Sequence, residues 1–220
     1  MDEIRILVGM PSTQMIPVYT ARSLMEWQRY RKYPSQFQFK IDTYIEKARN
    51  ELVWAAVDQG ATHLMFIDSD MVFPSHAIDR MVEQHKDIIG GMYFGRMHPK
   101  CMAFHVNPDG TVRNVDPSKE HGVFEVDFVG TGFMLIDIKV FTKLEPPFFT
   151  FTYDLTQFGL KKQGPLTLTG EDTYFCLSAK KQGFKVWVDT TFELGHVGNH
   201  TYYKHDWEVY QKDKELYERA

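Results

Sequence analysis

Apolar residues fall along this chain in short runs separated by amphipathic stretches. Ile4 to Gly9, IRILVG, is an apolar, β-rich run and predicts a first buried strand closed by Met10-Pro11-Ser12-Thr13. Thr20 to Tyr33 predicts a helix that stops before Pro34. Phe37 and Phe39 alternate with Gln36, Gln38 and Lys40, the period of a short strand. Asp42 to Gln59 carries the strongest helical pattern, with Ile45, Ala48, Leu52 and Ala55 on one face. Thr43 and Glu46 have the spacing of a capping box, and Gly60 suits the position just past the helix end.

The next run, GATHLMFIDSDMVFP, organises the rest. His63 to Ile67 reads as a buried strand between Gly60 and Pro74. A buried strand tolerates Asp68 and Asp70 only past its end, so both acids belong at a sheet rim, where open α/β sheets bind ligands. In extended chain they point the same way, about 7 Å apart, with Ser69 turned away. Ser75 is the expected N-cap of a helix running to about His85. Asp87 to Phe94, DIIGGMYF, returns to strand, with Gly90-Gly91 marking a bulge or a close approach.

Lys100 to His105 and Val123 to Phe128 read as strands around the turn Asn107-Pro108-Asp109-Gly110, and Gly132 to Ile138 as another. A short helix over 139–144 follows. Glu145 to Gly170 has no clear period and reads as a functional lid or a disordered connection. Gly170 to Gln182 predicts a helix ended by Gly183, and Lys185 to Val188 a strand. Thr201 to Arg219 predicts a C-terminal helix with Trp207, Tyr210, Lys214 and Tyr217 on one stripe, more often core packing than a binding surface. This alternation predicts an α/β domain with a mixed, mostly parallel central sheet flanked by helices over 1–200, and a C-terminal helix over 201–220.

Composition narrows the picture. With 43% apolar and 25% charged residues among 220, the chain is of the soluble globular class. A net charge of −4 argues against bulk binding of nucleic acid, and the run Arg29, Arg31, Lys32 reads as a solvated helix end. Cys101 and Cys176 lack metal-site spacing, and no apolar run spans a bilayer, so a cytoplasmic protein without membrane contact is expected.

Four elements carry candidate chemistry. Asp68-Ser69-Asp70 would attract a hard divalent cation; a solvated turn after the strand is the lesser alternative, since the apolar run delivers both acids to a sheet rim. Arg49, in Ala48-Arg49-Asn50, can pair with a phosphate or lie idle on a helix surface. Glu171 and Asp172 open a helix, as caps or as a general base. His196, between Gly195 and Gly198, becomes a candidate metal ligand beside the acids; carboxylates with one imidazole suit Mn2+ better than Ca2+, and leave Mg2+ open.

In order, ARN, the strand ending in DSD, GTGFMLI, GEDTYFCLSAKKQGFKVW and the late GH resemble the nucleotide-sugar glycosyltransferases of the GT-A fold, family-2-like. The resemblance covers roughly residues 1 to 200. It implies a Rossmann-like GT-A domain and transfer of a sugar from a UDP- or GDP-linked donor to a saccharide, lipid or protein hydroxyl. It further implies that Asp70 and His196 hold Mn2+ or Mg2+. Asp68, Ser69 and Arg49 would lie by the nucleotide, Pro11, Ser12 and Thr13 would line its base and ribose, and Gly130, Thr131 and Gly132 would border the sugar. Asp172 would be the catalytic base of an inverting enzyme, with Glu171 beside it. The first strand ends GMPSTQ where the family more often has a PxYN-type ending, which leaves the nucleobase open. Two rivals are a haloacid-dehalogenase-like phosphohydrolase with Asp68 as nucleophile and a non-catalytic sugar-nucleotide binding module.

Overall fold

The first apolar run folds as strand β1 (Ile6–Ser12), and helix α1 (Val18–Tyr30) follows it. Strand β2 (Ser35–Ile41), helix α2 (Ile45–Asp58) and strand β3 (His63–Ile67) come next. A two-residue strand β4 (Met71–Val72) leads to helix α3 (Ala77–Glu83) and strand β5 (Ile88–Gly91). Strands β6 (Ala103–Val106), β7 (Val112–Asn114), β8 (Val123–Val126), β9 (Phe128–Val129) and β10 (Phe133–Asp137) lead to a 3-10 segment at Ile138–Lys143. Helix α4 (Glu171–Lys181), strands β11 (Val186–Asp189), β12 (Gly195–Val197) and β13 (Thr201–Tyr202), and helix α5 (Lys204–Lys212) complete the order. This is a computed structural model, and it describes residues 3–41, 43–96, 99–154, 156–160, 168–198 and 201–212.

The seven-stranded central sheet has the order β2-β1-β3-β10-β5-β11-β8. β2, β1, β3, β5 and β11 point one way; β10 and β8 run against them. The fold is thus α/β and Rossmann-like, with a mixed, mostly parallel sheet. Its inner strands β1, β3, β10 and β5 are apolar on both faces because both are covered, whereas the edge strand β2 is half polar and largely exposed. Leu7, Leu64, Phe66 and Ile136 face the layer that holds Leu52 of α2 and Phe175 of α4. Their neighbours Val8, Met65, Ile67 and Leu135 face the layer that holds Trp27 of α1 and Ile78 of α3. Two small sheets flank the centre, with orders β13-β12-β4 and β7-β6-β9.

Several expectations change. α2 starts at Ile45 with Tyr44 at its N-cap and no side-chain cap, so the Thr43 capping box does not form. Glu46 instead accepts the Phe151 N–H at 3.1 Å. Gly60 does close the helix, at φ +64. Ser75 caps nothing: α3 follows a turn in which Ala77 N–H donates to the Pro74 carbonyl at 3.0 Å, so backbone replaces a side-chain cap. Val123 to Phe128 is two strands, because Asp127 turns inward to accept the Val106 N–H at 2.6 Å and to pair with Lys180. Gly90 and Gly91 form no bulge. They pair regularly, and a Cβ there would stand 2.8 Å from Val129 and 2.6 Å from Leu194.

The stretch from Glu145 is not simply a lid. Phe148 and Phe149 are core residues, and Phe149 stacks on Phe175 at 4.6 Å between ring centres. Asn50 fastens them, donating to the Phe149 carbonyl at 2.7 Å and accepting the Phe148 N–H at 2.8 Å. Positions 155 and 161–167 of this stretch lie outside the described residues. The C-terminal helix is shorter at its start than expected, since Thr201 and Tyr202 form β13. Trp207 is buried in the core, and stripe positions Lys214 and Tyr217 lie outside the described residues. Cys101 and Cys176 are unpaired, buried thiols, each pushed up to about 12 by burial. Among the described residues no helix is long and apolar enough to cross a membrane.

Candidate functional site

The five co-directional strands end on one rim, and β10, running against them, begins there. A cleft of about 680 Å³ opens along this rim. Pro11, Ser12 and Thr13 reach it from the end of β1. Asp68, Ser69 and Asp70 reach it from the end of β3, and Thr131 from the start of β10. Arg49 of α2, Glu171 and Asp172 of α4 and His196 of β12 close the ring. Two candidates, Gly130 and Gly132, do not line the cleft. They stand behind Tyr93, where a Cβ on Gly130 would lie 2.1 Å from the phenol oxygen and one on Gly132 2.8 Å from it. Gly132 N–H donates to that oxygen at 3.1 Å. Their absent side chains make room for Tyr93, which does line the cleft and which burial holds neutral, its pKa well above the usual phenol range.

Asp68, Ser69 and Asp70 are not extended. Asp68 N–H donates to the Gly132 carbonyl at 2.9 Å, and Met71 N–H returns to the Asp68 carbonyl at 3.1 Å, which makes a tight turn. Strand alternation therefore does not apply, and the two carboxylates part company. Asp68 Oδ1 accepts from Arg49 Nη2 at 2.9 Å, and Arg49 Nε donates to Glu171 Oε1 at 2.9 Å. Arg49 is no surface arginine. It is 2% exposed, and its guanidinium lies 5.3 Å from the centre of the Phe66 ring. Burial alone would lower its pKa; Asp68 and Glu171 more than offset that and raise it. Its Nη1 is buried with no hydrogen-bond partner among the described residues.

Asp70 turns to the other side. β12 pairs antiparallel with β4, placing His196 opposite Met71, and Val197 N–H donates to the Asp70 carbonyl at 2.8 Å. This pairing sets His196 Nε2 3.3 Å from Asp70 Oδ1. His196 Nδ1 lies 2.9 Å from the Phe94 carbonyl, an acceptor only, so Nδ1 carries a proton. The Tyr93 ring meets the imidazole edge-on at 5.5 Å. Burial works to lower the His196 pKa, but the hydrogen bond and charge of Asp70 raise it overall. Burial works to raise that of Asp70, but His196 and Arg96 lower it overall. Arg96 Nη1 donates to Asp70 Oδ2 at 3.0 Å.

Asp172, at the N-terminus of α4, is different. Its Oδ1 accepts its neighbour Thr173 N–H at 2.7 Å, a bend that only Gly170 permits, since a Cβ there would stand 2.5 Å from that oxygen. Burial, then the adjacent Glu171 charge, pushes its pKa up to about 6. A carboxylate so placed accepts a proton near neutral pH more readily than an ordinary one.

Sequence reasoning missed Tyr93, Arg96, Lys100 and the Phe94 carbonyl. Tyr93 and Phe94 end an apolar run that reads as core, and a backbone carbonyl leaves no trace in sequence. Among the described residues no group of three or more His, Cys, Asp and Glu side chains converges as a complete metal cage. Asp70 and His196 form a pair.

No protein-family model and no curated protein matches the sequence. Among solved structures, A197 from STIV is similar at 16% identity and a TM-score of 0.61, over 89% of this chain and 86% of that one. A likeness at that identity shows the fold alone. Apo-UDP-glucose pyrophosphorylase aligns over 97% of this chain and 100% of that one, at 9% identity and a TM-score of 0.46, too low to carry an argument.

Proposed function

We propose that this chain is a GT-A-type glycosyltransferase that moves a sugar from a UDP- or GDP-linked donor to a hydroxyl acceptor with a divalent cation, Mn2+ or Mg2+. The observation that carries the reading is the pair formed by Asp70 and His196. With Nδ1 committed to Phe94, His196 Nε2 shares a proton with the carboxylate oxygen 3.3 Å away, and once that proton is lost its lone pair and the Asp70 charge repel. An electron-pair acceptor between them removes that repulsion. Neighbouring ligands of an octahedral cation with bonds of about 2.1 Å stand about 3 Å apart, so the spacing fits. Two protein ligands leave the remaining positions to phosphate oxygens and water, as nucleotide sites with hard cations commonly do.

When bound, the cation would offset the negative charge that grows on the leaving diphosphate. The chain's own residues do the rest. Pro11, Ser12 and Thr13 offer a wall for the nucleoside at the end of β1. Arg49 fixes Asp68 toward the ribose side and Glu171 beside Asp172, with Nη1 left to bond a donor oxygen. Thr131 borders the sugar. Asp172 accepts the proton of the acceptor hydroxyl if the sugar is inverted. The phosphohydrolase reading has less support, because Asp68 shares its charge with a buried guanidinium through Oδ1, which weakens it as a nucleophile. A purely binding module would have no use for an Asp172 held near pKa 6.

Thermal melting with UDP- and GDP-sugars, with and without Mn2+, tests the reading. At a ligand concentration of about 100 Kd, the stabilisation should reach about 2.7 kcal/mol. It should require the cation and disappear in Asp70→Ala. Melting that ignores both, in a protein that still turns over no donor, sinks the reading.

A further inference from the structure

Arg96 and Lys100 also line the cleft. They stand on a loop with a fixed base: Phe94 bridges to Cys101, and Gly95 N–H donates to the Lys100 carbonyl at 2.9 Å. The same base supplies the carbonyl that orients His196. Phe94 is buried, whereas the Arg96 side chain is 62% exposed and reaches in to Asp70 Oδ2 at 3.0 Å. A solvent-exposed cation thus sits on one oxygen of the carboxylate whose other oxygen faces His196.

We infer that Arg96 occupies Asp70 only until a nucleoside diphosphate enters with its cation, and that Arg96 then moves to the diphosphate and binds it with Lys100. The inference rests on the transferase reading. Three observations carry it. The cleft is lined by four acids, Asp68, Asp70, Glu171 and Asp172, and Arg49 is spent on Asp68 and Glu171. Arg96 is therefore the arginine that balances Asp70, and a divalent cation arriving between Asp70 and His196 would take over that task and repel it. Second, an ion pair with so exposed an arginine holds its partners only weakly, by up to about fivefold, so the guanidinium can leave. Third, its planar fork matches phosphate oxygens, and Lys100 on the same loop adds a second positive charge at the same rim. The free cation should then bind poorly, and the cation with nucleotide well, so the loop couples the two.

Mn2+ binding to the intact chain, read from loss of the free-ion EPR signal, tests this, alone and with UDP or GDP. In Arg96→Ala, Mn2+ alone should bind up to about fivefold tighter. At saturating Mn2+, the nucleoside diphosphate should bind about tenfold weaker or worse, the loss expected for a charge-assisted contact. Lys100→Ala should weaken the diphosphate and leave Mn2+ alone unchanged. Unaltered or weaker binding of Mn2+ alone in Arg96→Ala, or unaltered diphosphate affinity, overturns the inference while the transferase reading stands, provided Asp70→Asn abolishes Mn2+ binding. If the unmodified chain shows no Asp70-dependent Mn2+ binding even with UDP or GDP present, the two fall together.

Discussion

Asp172 is the acid whose charge the cleft disfavours. Its folded pKa of about 6 lies above the ordinary 3.8, so the folded chain holds its proton more tightly than the unfolded one. The stability this adds is fully present below about pH 4 and is lost as pH rises through about 6. Asp172→Asn should therefore stabilise the protein at pH 7.5 by on the order of 3 kcal/mol and leave it nearly unchanged at pH 4, in urea titrations at the two values. The same variant should bind donor and transfer nothing, and transfer by the unmodified chain should fall as pH drops through about 6, where the carboxylate no longer accepts a proton. Retained transfer would remove Asp172 from that role. Arg49 has the opposite energetics. Arg49→Met leaves Asp68 and Glu171 facing each other without the buried cation, a loss of about 3–5 kcal/mol measurable by denaturant unfolding. The acids, Arg49 and His196 were legible as an ordered set of motifs. What each one touches was not. Asp68 and Asp70 looked alike in sequence, and the turn at Ser69 sends one to Arg49 and the other to His196.

The strands that bury both faces were legible because an unbroken apolar run records burial directly. β4, β12 and β13 were not, because two or three residues show no period and their pairing joins distant parts of the chain. His196 owes its place to that pairing. Leu194, next to β12, packs where a Cβ on Gly91 would intrude, 2.6 Å from Leu194 Cδ1 and 3.0 Å from Phe192. Gly91→Ala should thus cost about 1–3 kcal/mol by overpacking. It should also move β12 and weaken Asp70-dependent Mn2+ binding, whereas a substitution on the exposed face of α1, such as Met25→Ala, should leave that binding alone. The helix caps expected at Thr43 and Ser75 failed for a related reason. Tertiary hydrogen bonds and a preceding turn took over the groups that a local cap would have used.

At the level of the molecule, the site exists because five strands deliver their ends to one rim and β10, inserted against them between β3 and β5, begins at the same rim with Thr131. Strand direction brings Pro11 to Thr13, Asp68 to Asp70 and Thr131 to this rim, while α2, α4 and the β12–β4 pairing carry Arg49, the Glu171-Asp172 pair and His196 to it. The C-terminal helix stood outside the sequence resemblance, yet the fold draws it in. α5 starts two residues after β13, β13 pairs with β12, and β12 carries His196. Trp207 of α5 is 8% exposed and belongs to the core layer that contains Phe94, whose carbonyl orients the same histidine. Trp207→Ala should cost about 3–5 kcal/mol, as large-to-small core changes do, because the surrounding side chains can only partly refill the space. Losing that anchor should also loosen β13 against β12. The variant's melting should then drop, and Mn2+ with UDP or GDP should recover less of the drop than it adds to the unmodified chain. Full recovery would mean that α5 stabilises the domain without positioning His196.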